Sequence, residues 1–290
     1  DRKSTRLNSS HVEISYAGFC LKTRNFNADS GWGGSSYTST RAAAPFNILD
    51  RVYVIIQKLQ NVDSNLTLAP LVINWSPNNI PESGNLADGR IGTSFYTQDQ
   101  IYLLGAANTD SDEYDGHVII HEWGHYFEDN NARSDSVGGP HGGGDRLDMR
   151  VAFGEGFGNA WSGIITDDPF YRDSFGVNQS QGFSINVENN NVSNPGWFSE
   201  GSVQSILYDV YDSANDDLAD LGLQPIYDVL NNFKDEIEQN DILDKLKIEK
   251  NGYFLVTAHR PENVNYEKPL KNIMSALETI YKKYQKEIIF

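Results

Sequence analysis

The sequence predicts an α+β fold over residues 25–230, followed by a partial α/β unit of β-α-β type over residues 231–290. Three observations carry this reading. Short β-rich runs lie before residue 105 and helical periodicity dominates after residue 118, so strands and helices are segregated instead of alternating. Charge is divided in the same way: residues 25–230 hold 8 of the 23 Lys and Arg and 28 of the 40 Asp and Glu, whereas residues 231–290 hold 10 of each. Lys58 is the one lysine of the middle stretch and the last sixty residues contain nine, so two compositional styles meet near residue 228.

Taken in order, residues 1–24 show neither helical nor strand periodicity and resemble translated adapter or vector sequence. They are expected to be an artefact or a disordered tail, outside the fold. PFNILDRVYVIIQKLQ places Ile48, Val52, Ile55, Ile56 and Leu59 on one face, which predicts an amphipathic helix. Leu68 to Trp75 and Gln100 to Leu104 are short β-rich runs bounded by Pro, Asn and Gly and read as strands. After the acidic DSDEYDG, Val118 to Phe127 is apolar at 118, 119, 120, 123 and 127 and reads as a helix, with acids at its start suited to the helix dipole. The glycine-rich GGPHGGGD precedes a helical stretch from Met149 to Ile165, and SVQSILYDVYDSA reads as a further helix. Beyond residue 231 come a Lys/Glu-rich helix, a strand (YFLVTAH), a helix (NIMSALETIYKKY) and a last strand (EIIF).

Composition excludes several functions. A formal net charge of -17 makes a nucleic-acid backbone a poor partner, and no apolar run reaches the length of a membrane-spanning helix. A single cysteine rules out a multi-thiolate metal site, so a bound metal must use His and carboxylates. No Lys-Ser/Thr follows the glycine loop, and no Gly-x-Ser-x-Gly elbow occurs.

The strongest motif is His121-Glu122-Trp123-Gly124-His125. Two His four apart project from one face of a helix and can reach one Zn²⁺, with Glu122 beside the metal-bound water. His117 starts about 12 Å from His125 along such a helix and is expected to stay off the metal. A third ligand must come from another element, and Glu155 in Phe153-Gly154-Glu155-Gly156-Phe157-Gly158-Asn159 is the best candidate. Its glycines cost on the order of 1 kcal/mol each in a helix, which close approach to the metal helix would offset. Phe153, Phe157 and Trp161 are read as the buried stripe, with Glu155 and Asn159 on another face. Tyr208, Tyr211 and His141 are open alternatives for an oxyanion donor. Asp110, Asp112, Glu113 and Asp115 are read as helix-capping acids, because Tyr114 and Asp115 break the EF-hand pattern.

HEWGHYFE, a glycine loop and AFGEGFGNAW together resemble the gluzincin metallopeptidases, and the G-E-G run is similar to the fungalysin-like branch. The resemblance covers about residues 40–228. It implies a zincin-like domain with an active-site helix at the floor of a cleft, zinc held by His121, His125 and Glu155, Glu122 as general base, and a protein or peptide substrate. Asn159 falls where that branch places an Asp that orients a ligand His; an amide oxygen still accepts the ring N–H but carries no charge. The resemblance and the acidic, lysine-poor middle suggest an extracellular or cell-envelope protein. The alternative is a catalytically silent metal-binding or adhesion module.

Residues 231–290 resemble the middle of a UDP-N-acetylglucosamine 2-epimerase, with His259, Arg260, Glu262 and Asn263 matching its H-R-x-E-N motif. The stretch covers about a sixth of such an enzyme, so a fragment without activity is expected. The whole chain is then expected to be a chimera, which long-read sequencing of the source DNA through one uninterrupted frame would refute. Oligomeric state is not legible.

Overall fold

The computed structural model describes residues 12–14, 27–213, 220–232, 253–255 and 267–289, with Lys245, Lys247 and Glu249. The chain divides into two compact units, Asp1–Lys234 and Asp235–Phe290. In the first, helix α1 (Ala44–Val62) buries Ile48, Val52, Ile55 and Leu59, spaced to form one apolar face, and Pro45 at its start places a missing N–H where no partner is needed. Strand β1 (Val12–Ile14) pairs antiparallel with β2 (Leu71–Trp75), which runs parallel to β4 (Gln100–Leu103); β3 (Phe95–Thr97) closes this sheet antiparallel to β4. Ile73, Trp75, Ile101 and Leu103 join the α1 face in one core. Residues 12–14 thus add a strand within the tail that the sequence alone excludes from the fold.

Helices α2 (Gly116–Asn131) and α3 (Met149–Thr166) pack along each other over the same core. An aromatic stack joins them: the ring centroids of Trp123 and Phe127 are 5.6 Å apart, Phe127 and Trp161 5.2 Å, and Trp161 and Phe157 5.3 Å. Burying rings of this size contributes several kcal/mol, so the stack fixes the spacing of the helices. Phe153, expected in the buried stripe, is instead 40% exposed: its ring stacks on Phe157 at 6.2 Å but forms the outer end of the row. Helix α4 (Glu200–Tyr211) runs beside α3 in the same direction: a Cβ on Gly156 would meet Val203 at 2.6 Å, and one on Gly163 would meet the Tyr208 ring at 3.0 Å. Helix α5 (Leu223–Asn232) places Leu223, Ile226 and Tyr227 in the core, and Tyr227 donates to Asp63 at 2.7 Å.

A second sheet, absent from the sequence reading, is built from β5 (Gly105–Ala106), β6 (Asp110–Ser111), β7 (Phe170–Phe175) and β8 (Gln181–Asn186), all antiparallel. Strands therefore do not all precede the helices; the β7–β8 hairpin follows α3. The capping role expected of the acids before α2 is also corrected. Asp115 occupies the N-cap position without capping, since its carboxylate accepts instead from the backbone N–H and hydroxyl of Ser174 on β7.

In the second unit, β9 (Tyr253–Leu255) and β10 (Glu287–Ile289) pair in parallel around helix α6 (Glu267–Tyr284). Among the described residues, no helix is long and apolar enough to cross a membrane.

Candidate metal centre

Position four residues apart on α2 brings the imidazoles of His121 and His125 together, with Nε2 atoms 3.0 Å apart. Glu155 reaches them from α3, its Oε2 lying 3.3 Å from His121 Nε2 and 3.5 Å from His125 Nε2. Close approach of the helices makes this reach possible. A Cβ on Gly158 would stand 2.7 Å from the His121 ring, so only glycine fits there. Glycines in α3 serve two neighbours, Gly158 facing α2 and Gly156 facing α4.

The state of His121 follows from its surroundings. Its Nδ1 lies 2.9 Å from Asn159 Oδ1, and the Asn159 amide in turn donates to Gln204 Oε1 at 3.0 Å. The amide oxygen accepts the Nδ1–H, so Nε2 carries a lone pair turned toward a carboxylate oxygen and a second imidazole. Three electron-rich atoms converge with spacings of 3.0, 3.3 and 3.5 Å. A tetrahedral zinc with ligands at about 2.0–2.1 Å has ligand atoms about 3.3–3.4 Å apart. The donor set of two imidazoles and a carboxylate therefore fits zinc with one position left open.

Burial works against charge on Glu155, but the imidazoles of His121, His125 and His141 around it outweigh burial and hold the carboxyl well below the usual range. Burial likewise opposes charge on His125, whose pKa is nevertheless raised by Glu155 and Glu122. Glu122 is 7% exposed beside these groups. His141, from the glycine loop, sets Nε2 3.2 Å from Glu155 Oε2. Its pKa is raised to about 9, first by that hydrogen bond.

Tyr208 stands elsewhere. It is 4% exposed, packed on Gly163 and Tyr211, and Gly163 lies eight residues, about 12 Å along α3, from Glu155. Tyr211 is tied to Asp167 and to Lys58. Of the three candidate donors, only His141 is brought to Glu155. His117 is buried off the metal face, with Nδ1 3.1 Å from Ser162 Oγ and a pKa lowered to about 4 by burial.

Sequence reasoning missed three neighbours. Glu128 is 2% exposed, its Oε2 has no hydrogen-bond partner, and burial followed by repulsion from Glu155 pushes its pKa up to about 8. Its position seven residues after His121 puts it on the same helix face, a signal present in HEWGHYFE. Glu200, at the start of α4, is 7% exposed and raised by burial while His141 pulls it down. Tyr171 of β7 sets its ring edge-on to His121 at 6.0 Å, a contact no local pattern announces. His259, Arg260, Glu262 and Asn263 lie outside the described residues.

No curated protein and no solved structure was found to match the chain. Residues 217–290, about a quarter of the chain, match the family model of UDP-N-acetylglucosamine 2-epimerase.

Proposed function

We propose that residues 25–230 form a zincin-like, zinc-dependent peptide hydrolase in which His121, His125 and Glu155 hold the metal and Glu122 is the general base. The observation that carries this reading is the convergence of three lone-pair atoms at 3.0, 3.3 and 3.5 Å. Zinc bound there would supply a lowered water pKa and a Lewis acid for the scissile carbonyl. Glu122 would take the proton from the attacking water on a carboxylate oxygen and deliver it to the leaving nitrogen. Asn159 Oδ1, held by Gln204, keeps the His121 Nδ1–H and so fixes the ring with Nε2 free to ligate. His141, whose Nε2 lies 3.2 Å from Glu155 Oε2, would donate toward charge developing beside Glu155. The acidic, lysine-poor composition supports an extracellular or cell-envelope setting.

The test pairs metal analysis of the purified chain with hydrolysis of casein. One zinc per chain, with chelator-sensitive cleavage lost in Glu122→Gln while zinc stays bound, is the expected result. Zinc without chelator-sensitive cleavage would favour the silent metal-binding module.

The family match supports a second reading for the C-terminal residues: a fragment similar to UDP-N-acetylglucosamine 2-epimerases, without turnover of its own. Incubation with UDP-N-acetylglucosamine is expected to leave it unchanged, and formation of the 2-epimer would overturn that expectation.

A further inference from the structure

The β6–β7 pairing that the sequence hides gathers a second set of acids. Asp110 lies on β6, Asp112 just after it and Asp173 on β7, and one carboxylate oxygen from each lies within 4.8 Å of the others. Asp112 is 3% exposed. Its Oδ2 accepts from Ser94 Oγ, a hydroxyl held in turn by Leu104 N–H at 2.9 Å. Its Oδ1 is sealed from solvent with no hydrogen-bond partner, as are Asp110 Oδ1 and Asp173 Oδ1.

The next residue in the chain shows what compensation looks like. Glu113 is 0% exposed, yet Arg41 Nη1 lies 2.5 Å from Oε1 and Trp75 Nε1 donates to Oε2 at 3.2 Å. Around Asp112 the charged neighbours are Asp110, Asp173 and Asp115; around Asp173 they are Asp110 and Asp115. Burial first raises all three acids and like charge adds to it, while a hydrogen bond with Asp112 offsets part of the rise at Asp110; Asp173 reaches about 7. Buried carboxylate oxygens without a donor or counter-charge are costly, and a cation removes that cost.

We propose that Asp110, Asp112 and Asp173 bind a hard divalent cation of the size of Ca²⁺. The donors are all oxygen, which suits calcium over zinc, and oxygens at about 2.3–2.6 Å from one ion lie up to about 5 Å apart across it. Asp115 is not free to join them, because Ser174 N and Oγ donate to it at 2.9 and 2.8 Å; it anchors β7 beside the cluster. The ion joins β6 to β7 immediately before α2, the helix that carries His121 and His125.

Calorimetry of the full chain in CaCl₂ and in EGTA tests this. One calcium-binding heat is expected, with Tm raised by about 5 °C or more at a hundredfold excess over Kd. Asp112→Asn should lose both responses, while its Tm in EGTA equals or exceeds that of the wild type because a like charge is gone. If Asp112→Asn does not fold, Asp173→Asn should lose the same responses. Glu155→Gln, which disables the other cluster, should keep them, so failure of the zinc reading does not touch this one. Absence of calcium heat and of a Tm change in the wild type would overturn the proposal and leave the acids sharing a proton. Survival of the calcium response in both Asp variants would overturn it equally.

Discussion

Two clusters flank the start and the middle of α2, and they solve the problem of buried charge differently. His121, His125 and Glu155 mix lone pairs from nitrogen and oxygen at ligand spacing, and the His121 ring is positioned by Asn159 from outside the cluster. Asp110, Asp112 and Asp173 present oxygen alone, with one atom of each lacking any hydrogen bond. The difference teaches that a motif announces itself only when its members share an element. Two ligands of the first cluster lie four apart on one helix, whereas the second cluster exists only after β6 has paired with β7.

The largest effect should come from Glu122→Gln, which leaves the donor triangle intact. Loss of one general base lowers kcat by about 10²–10⁴-fold; zinc content measured on the same sample should not change. Next is Arg41→Ala, which leaves Glu113 buried without its counter-charge, as Asp112 is. Breaking a buried pair costs about 3–5 kcal/mol, read as a fall in urea midpoint without change of slope. A midpoint equal to wild type would show that Glu113 needs no counter-charge, and the contrast with Asp112 would lose its basis.

A pH series sharpens the comparison for a histidine placed off the metal face. Burial lowers His117 to about 4, so the folded protein resists protonating it while the unfolded chain takes a proton below about 6.5. Stability from this group is full above the unfolded pKa and falls as pH drops from about 6.5 to about 4, by up to about 3 kcal/mol. The wild type should therefore lose stability relative to His117→Gln across that window. A constant difference between the two would contradict the assignment. The smallest effect belongs to Asn159→Ala. Removing the group that orients His121 should weaken zinc binding about 10–100-fold, followed by competition with a chromogenic chelator.

How much of this was legible follows from range. α1 was readable from apolar spacing because it buries one face; α2 and α3 are buried on nearly every side, so their apolar residues announced helices without fixing which residues face the core, as Phe153 shows, while the glycines of α3 correctly signalled a close helix neighbour. The β7–β8 hairpin was not. On β7 only Tyr171 is fully buried, so Phe170–Phe175 shows no clean alternation. Asp115 read as a cap because local sequence cannot reveal that Ser174 stands ready to donate to its carboxylate. Tyr208 and His141 were equivalent as letters, and the direction of α4 along α3 separates them, placing Tyr208 at Gly163 and far from Glu155.

Zinc K-edge X-ray absorption of the chain loaded with one equivalent of zinc tests the central claim most directly. The account predicts a first shell of nitrogen and oxygen at about 2.0–2.1 Å, with scattering from two imidazoles and no sulfur. A shell without imidazole scattering, or one unchanged in a His125→Ala, Glu155→Gln double variant, would contradict it.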